Sequence, residues 1–193
     1  MSNVEHHIRS FGMSGYLITE EVLAIERRYG VDLGHVSEAK DDKSGYYPQF
    51  DLQIRKQAAD MAAHYELFYC LEQSIRQLIV RTLADKAGTS WWSAAVPAKI
   101  VEDVKGRVQR EIDSGFSQRS DYEIDYTNFG ELSVIIASNW DVFGAIFSSK
   151  RAVERIMNSL NLLRGPIAHC SPLAGDEVDR LLLTVKDWFR AMA

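Results

Sequence analysis

Cysteine and proline are scarce in this chain. The two cysteines, Cys70 and Cys170, stand far apart with no zinc-like spacing, which argues against a disulfide framework or a structural zinc site. Four prolines and few alternating β-branched runs argue against a β fold and favour an all-α one. A surplus of positive charge is also missing. The formal net charge of -5 excludes a protein that coats nucleic acid by bulk charge, although a local basic cleft stays open. No apolar run approaches the roughly 20 residues of a membrane span, and the polar stretch 1–10 does not look like a signal peptide. A cytoplasmic protein without membrane association is therefore expected. Walker loops, dinucleotide fingerprints, zinc-protease and serine-hydrolase motifs are absent, as is a paired-carboxylate cluster. No cofactor and no metal are expected.

What is present is helical periodicity. With 46% hydrophobic and 25% charged residues the chain can bury a sizeable core. The first 45 residues read as an N-terminal extension: a short helix from Thr19, with Glu20 and Glu21 in its first turn and Arg27 and Arg28 in its last, then a polar connector ending in Asp41-Asp42-Lys43-Ser44-Gly45. The main domain is set at 46–193. Its longest helical pattern covers 48–86, with Met61, Tyr65, Phe68, Ile75 and Ile79 on one stripe widened by Leu71, Leu78 and Leu83. Glu72 falls on the same stripe. A carboxylate there needs a partner or a wet site: it either pairs with Arg76 one turn on or reaches solvent, or it braces Arg164 or His169 from behind.

Trp91 and Trp92 follow a break and read as RNA-stacking residues or as a plug at the end of a bundle. A further helix covers 98–112, a polar loop 114–128, and a strongly apolar helix 129–147. The next helix, 150–164, opens after Ser148-Ser149 and aligns Val153, Met157 and Leu160 with Arg164, so Arg164 is aimed inward or along a seam and not simply out to water. A last helix starts at Asp176-Glu177 and places Val178, Leu181, Leu182, Val185, Trp188, Phe189 and Met192 on its apolar side.

The chain turns on the stretch 160–172, L-N-L-L-R-G-P-I-A-H-C-S-P. Arg164 precedes His169 by five residues, and Gly165-Pro166 between them predicts a helix break. In an unbroken helix residues five apart point roughly 140° apart, whereas a break can aim both into one space. A guanidinium grips phosphate and an imidazole moves protons near neutral pH, and Asn161, one turn earlier, can join the same pocket. The structural alternative is an arginine capping helix carbonyls and a histidine satisfied in the core.

This stretch resembles the R-x-x-x-x-H signature of the HEPN superfamily (higher eukaryotes and prokaryotes nucleotide-binding domains). The run Y-E-L-F-Y-C-L-E-Q-S-I-R-Q-L-I at 65–79 is similar to the family's long first helix. W-W-S-A-A-V-P at 91–97 and F-G-E-L-S-V-I-I-A-S-N-W at 129–140 resemble a bacterial branch also found fused to PIN-type endonucleases of transcript surveillance. The resemblance implies an up-down helical bundle over about 48–193 and a metal-independent endoribonuclease working as a homodimer on RNA. It assigns Arg164 to the scissile phosphate and His169 to proton transfer, with Asn161 and Glu72 orienting them. It also implies a toxin–antitoxin or phage-defence setting with an antitoxin or defence protein as partner. The alternative is a non-catalytic module that dimerises and binds RNA, nucleotide or a protein. That alternative is motivated by Gly165, since the family usually has a polar residue directly after the arginine. Ser171 stands where some relatives carry a tyrosine that a partner nucleotidyltransferase modifies.

Overall fold

The computed structural model describes residues 21, 22, 25, 28, 29 and 49–192. The chain divides into two compact units, 1–52 and 53–193. In the first, the five described residues before Gln49 are helical, and the Arg28 guanidinium sits 5.6 Å from the Tyr29 ring centroid. The polar connector expected at 31–45 lies outside the described residues.

The second unit is all-α. Helix α1 runs Leu52–Ala87, ending in a 3₁₀ turn Gly88–Ser90 that leads to the short α2, Trp91–Ala95. Then come α3 (Ala98–Asp113), a 3₁₀ turn (Glu123–Tyr126), α4 (Phe129–Ser138), the short α5 (Trp140–Phe143), α6 (Lys150–Ala168) and α7 (Gly175–Ala191). No strand occurs among the described residues; a single bridge joins Phe147 to Met192. Nor is any described helix long and apolar enough to cross a membrane.

Helix α6 packs against both α4 and α7 and lies at the centre of the bundle. It buries Val153, Ile156, Met157 and Leu160, every third or fourth residue on one face. Its start is set by Ser149, whose Oγ accepts the Ala152 N–H at 3.3 Å. Helix α1 joins the core through Phe68, whose ring lies 5.1 Å from that of Phe129 on α4. Phe129, Leu132, Ile135 and Ile136 are all buried, as are Phe143, Phe147 and Trp188.

Five expectations are corrected. The apolar helix expected at 129–147 breaks at Asn139, which is buried and donates from Nδ2 to the carbonyls of Ile135 and Ala95. That amide ties the end of α2 to α4 and satisfies a carbonyl that a buried loop end would strand. The loop expected at 114–128 contains a 3₁₀ turn with Ile124 and Tyr126 in the core. On α7, Leu182 and Phe189 are exposed, so the buried stripe is narrower: Leu181, Val185, Trp188 and Ala191. On α1, burial begins only at Phe68, and Tyr65, expected on the buried stripe, is 60% exposed.

The largest correction concerns Gly165-Pro166. Helix α6 does not break there but continues to Ala168. Proline strains the residue before it by colliding with that residue's Cβ, and Gly165 has none. Proline also strands the carbonyl four residues back. Here that carbonyl belongs to Leu162, 77% exposed, where water can bond it. Pro166 lies in the last turn, so no further helix has to be carried across it.

Candidate active site

The line Val153, Met157, Leu160 ends, as the spacing predicts, on Arg164 aimed at a seam. Across that seam is α1, whose apolar stripe at this level carries Glu72. Arg164 donates from Nε to Glu72 Oε2 at 3.2 Å. Arg76, one turn further along α1, donates from Nη2 to Glu72 Oε1 at 2.5 Å and to the Thr127 carbonyl at 3.1 Å. The Glu72 side chain is 11% exposed. Both alternatives for its partner therefore hold at once: it is shared between a neighbour on its own helix and an arginine 92 residues away.

One carboxylate against two guanidiniums leaves one positive charge in a protein that is acidic overall. The orientation matters as much as the charge. Arg164 uses its Nε for Glu72 and makes no other bond among the described residues, and its side chain is 38% exposed. The paired terminal nitrogens, which form the fork that suits phosphate, have no partner among the described residues, and Arg164 lines a cleft. That cleft is lined by Tyr65, Phe68, Tyr69, Glu72, Gln73, Arg76 and Arg164, with Ile167 and Ala168 from the end of α6.

His169 is placed differently. It is the C-cap of α6, its backbone N–H bonding to the carbonyls of Gly165 and Pro166, and its side chain is exposed outside the lining of the Arg164 cleft. Because α6 does not break, Arg164 and His169 keep the wide angular separation of residues five apart on one helix. Asn161 is exposed near the start of α4, where its Nδ2 lies 3.9 Å from the position a Cβ on Gly130 would take; it does not line the cleft. Of the four sequence-named residues, the fold brings Arg164 and Glu72 together and leaves His169 and Asn161 on the surface nearby.

Two cleft residues were not anticipated as a site, Tyr69 and Gln73, both of which line it. Their spacing contained the signal, because residues three to four apart share a helix face. The aromatic pair singled out from sequence packs with the core: Trp92 is 8% exposed and meets Trp91 edge-on at 5.5 Å, and Trp91 is partly buried against the core residues. The free position after Arg164 is open: a Cβ on Gly165 would meet nothing within 4 Å. Among the described residues no three His, Cys, Asp or Glu side chains gather as a metal-binding group.

No curated protein and no solved structure matches the chain. A family match does exist, to Swt1-like HEPN over residues 66–193, and it spans α1 from the level of the cleft to the end of α7. An all-α bundle whose first long helix and penultimate helix meet through Glu72 and the motif arginine agrees with that match, and the chain belongs to the Swt1-like HEPN family.

Proposed function

We propose that this protein is a metal-independent endoribonuclease that cleaves RNA at a site shared by two copies of the chain. The observation that carries the reading is the mode of Arg164: Nε is held by Glu72, the terminal nitrogens have no partner among the described residues, and the residue lines a cleft. This is how an arginine is preorganised for a phosphate without being used up as a structural clip. His169 being outside the same chain's cleft favours a composite site, in which the histidine facing a given Arg164 is supplied by the second copy.

In the reaction a histidine takes the proton of a ribose 2′-hydroxyl. The 2′-oxygen attacks the adjacent phosphorus, and the bond from phosphorus to the 5′-oxygen breaks. The leaving oxygen receives a proton from the second histidine of the pair. Arg164 holds the phosphoryl oxygens as their charge grows, and Glu72 keeps the guanidinium in place. The products are a 2′,3′-cyclic phosphate and a 5′-hydroxyl. A toxin–antitoxin or phage-defence role, with an antitoxin or defence protein as partner, fits such an activity.

The test is incubation of a mixed RNA pool in EDTA with wild type, Arg164→Ala and His169→Ala. Cleavage by wild type to cyclic-phosphate ends, lost in both variants, is expected. A second reading, a dimeric module that binds RNA, nucleotide or protein without cutting, is favoured by Gly165, which offers no side-chain hydrogen bond beside Arg164. A folded, dimeric wild type that leaves the pool intact would establish it over the nuclease.

A further inference from the structure

The cleft holds more than a phosphate grip. Tyr65 and Tyr69, one turn apart on α1, both line it and are 60% and 55% exposed. Their ring centroids are 6.2 Å apart with the planes 32° from parallel, so the two rings form a tilted shelf and do not bury their faces on each other. Two neighbouring tyrosines left in water beside an anion grip are an unusual use of surface, because large exposed aromatic area is normally kept for a partner. One turn beyond Tyr69 is Gln73, which also lines the cleft. Its side-chain amide, a donor and an acceptor together, makes no bond among the described residues.

We propose that Tyr65 and Tyr69 stack the base of an unpaired nucleotide whose phosphate is held by Arg164, with Gln73 meeting the edge of that base. The inference rests on the nuclease reading and narrows it: the substrate is single-stranded RNA, and the cleft takes a splayed-out base. Aromatic stacking accepts any base because each has a π-face, whereas a duplex keeps those faces buried in its own stack. The mixed character of the cleft supports a nucleotide over an apolar peptide. Its lining combines aromatic rings, the Glu72 ion pairs and the Arg164 guanidinium. Trp91 and Trp92 expose less ring, because Trp92 is buried and Trp91 is partly buried against the core.

The experiment measures fluorescence anisotropy of a short labelled single-stranded RNA and of the same strand annealed to its complement. Full-length protein in the His169→Ala background keeps the strand intact. The single strand is expected to bind more tightly than the duplex. Tyr65→Ala with Tyr69→Ala should weaken single-strand binding by about tenfold or more. Tyr65→Phe with Tyr69→Phe, which keeps the rings, should restore it, and Gln73→Ala should flatten any preference among the four homopolymers. If the alanine pair binds as its parent does while Arg164→Ala does not, the shelf is overturned and the nuclease reading stands. If the alanine pair loses binding together with dimerisation, as followed by light scattering, the tyrosines belong to the subunit interface and the shelf is likewise overturned. A wild type that neither binds nor cuts RNA sinks both.

Discussion

Arg107 and Arg164 are both partly buried arginines that reach a glutamate from a distant helix, and they are put to opposite uses. Arg107, on α3, meets Glu131 of α4 through both terminal nitrogens, at 2.7 and 2.6 Å, and Nη1 also donates to the Tyr126 carbonyl at 2.9 Å. Glu131 in turn accepts the Asn128 N–H at the start of α4. The fork is saturated, the side chains are 20% and 16% exposed, and the Arg107 guanidinium is held above its ordinary pKa, chiefly by the Glu131 hydrogen bond. This is a clip that pins one helix to the capped end of another. Arg164 is tied by Nε alone to a glutamate it must share, and its fork is left over. The same residue pair is thus structural when the carboxylate engages the fork and a candidate for function when the fork is spared.

The comparison can be broken most severely at Glu72. Glu72→Ala strands Arg76, whose side chain is 11% exposed, and should cost about 3–5 kcal/mol in urea unfolding, as for a buried pair with one partner removed. Arg164→Ala should do the reverse. RNA cleavage falls by about 10²-fold or more, by analogy with the loss of one charge-stabilising donor. Stability changes by less than about 1 kcal/mol, because Glu72 keeps Arg76 and Arg164 is partly exposed. Glu131→Ala should separate the two sites: a loss of about 2 kcal/mol from the broken clip and the missing cap contact, with RNA cleavage unchanged. An activity loss there larger than the stability loss explains would show that the clip is coupled to the cleft.

The smallest effect concerns the edge of the clip. The Glu111 carboxyl is held below its ordinary value of 4.5, first by the hydrogen bond from the Tyr126 hydroxyl and then by the Arg119 backbone N–H. A carboxyl depressed on folding adds stability that is full above its unfolded value and disappears as pH falls through the folded one. Wild type and Tyr126→Phe should therefore differ in thermal midpoint at neutral pH, and the gap should close in acid below pH 4.5. A gap of constant size across that range would assign the effect to packing of the ring.

Much of the fold was legible because helical burial is periodic. The residues of α6 and α4 that face the core are those at steps of three and four, and Arg164 continues one of those lines. Glu72 was legible for the same reason, as a charge where the pattern asks for an apolar side chain. Tyr65 was misread because a stripe says which face of a helix is shared, not how far along the helix the neighbours extend. Burial on α1 starts only at Phe68. Asn139 escaped notice because a polar residue that bridges two backbone segments has no periodic signature.

By itself the sequence determined the all-α class, the buried lines of α4 and α6, the family and the arginine that the candidate site is built on, since these follow from local spacing and residue type. Only the tertiary structure decided that Glu72 is shared between Arg76 and Arg164, that the Arg164 terminal nitrogens find no partner among the described residues although two exposed tyrosines line the same cleft, and that His169 is not among the residues lining it. The physical reason lies in Gly165-Pro166. Read locally, proline stops a helix. In the fold it follows a residue without a Cβ, in a last turn whose orphaned carbonyl is open to water, so α6 runs on and carries His169 away from Arg164.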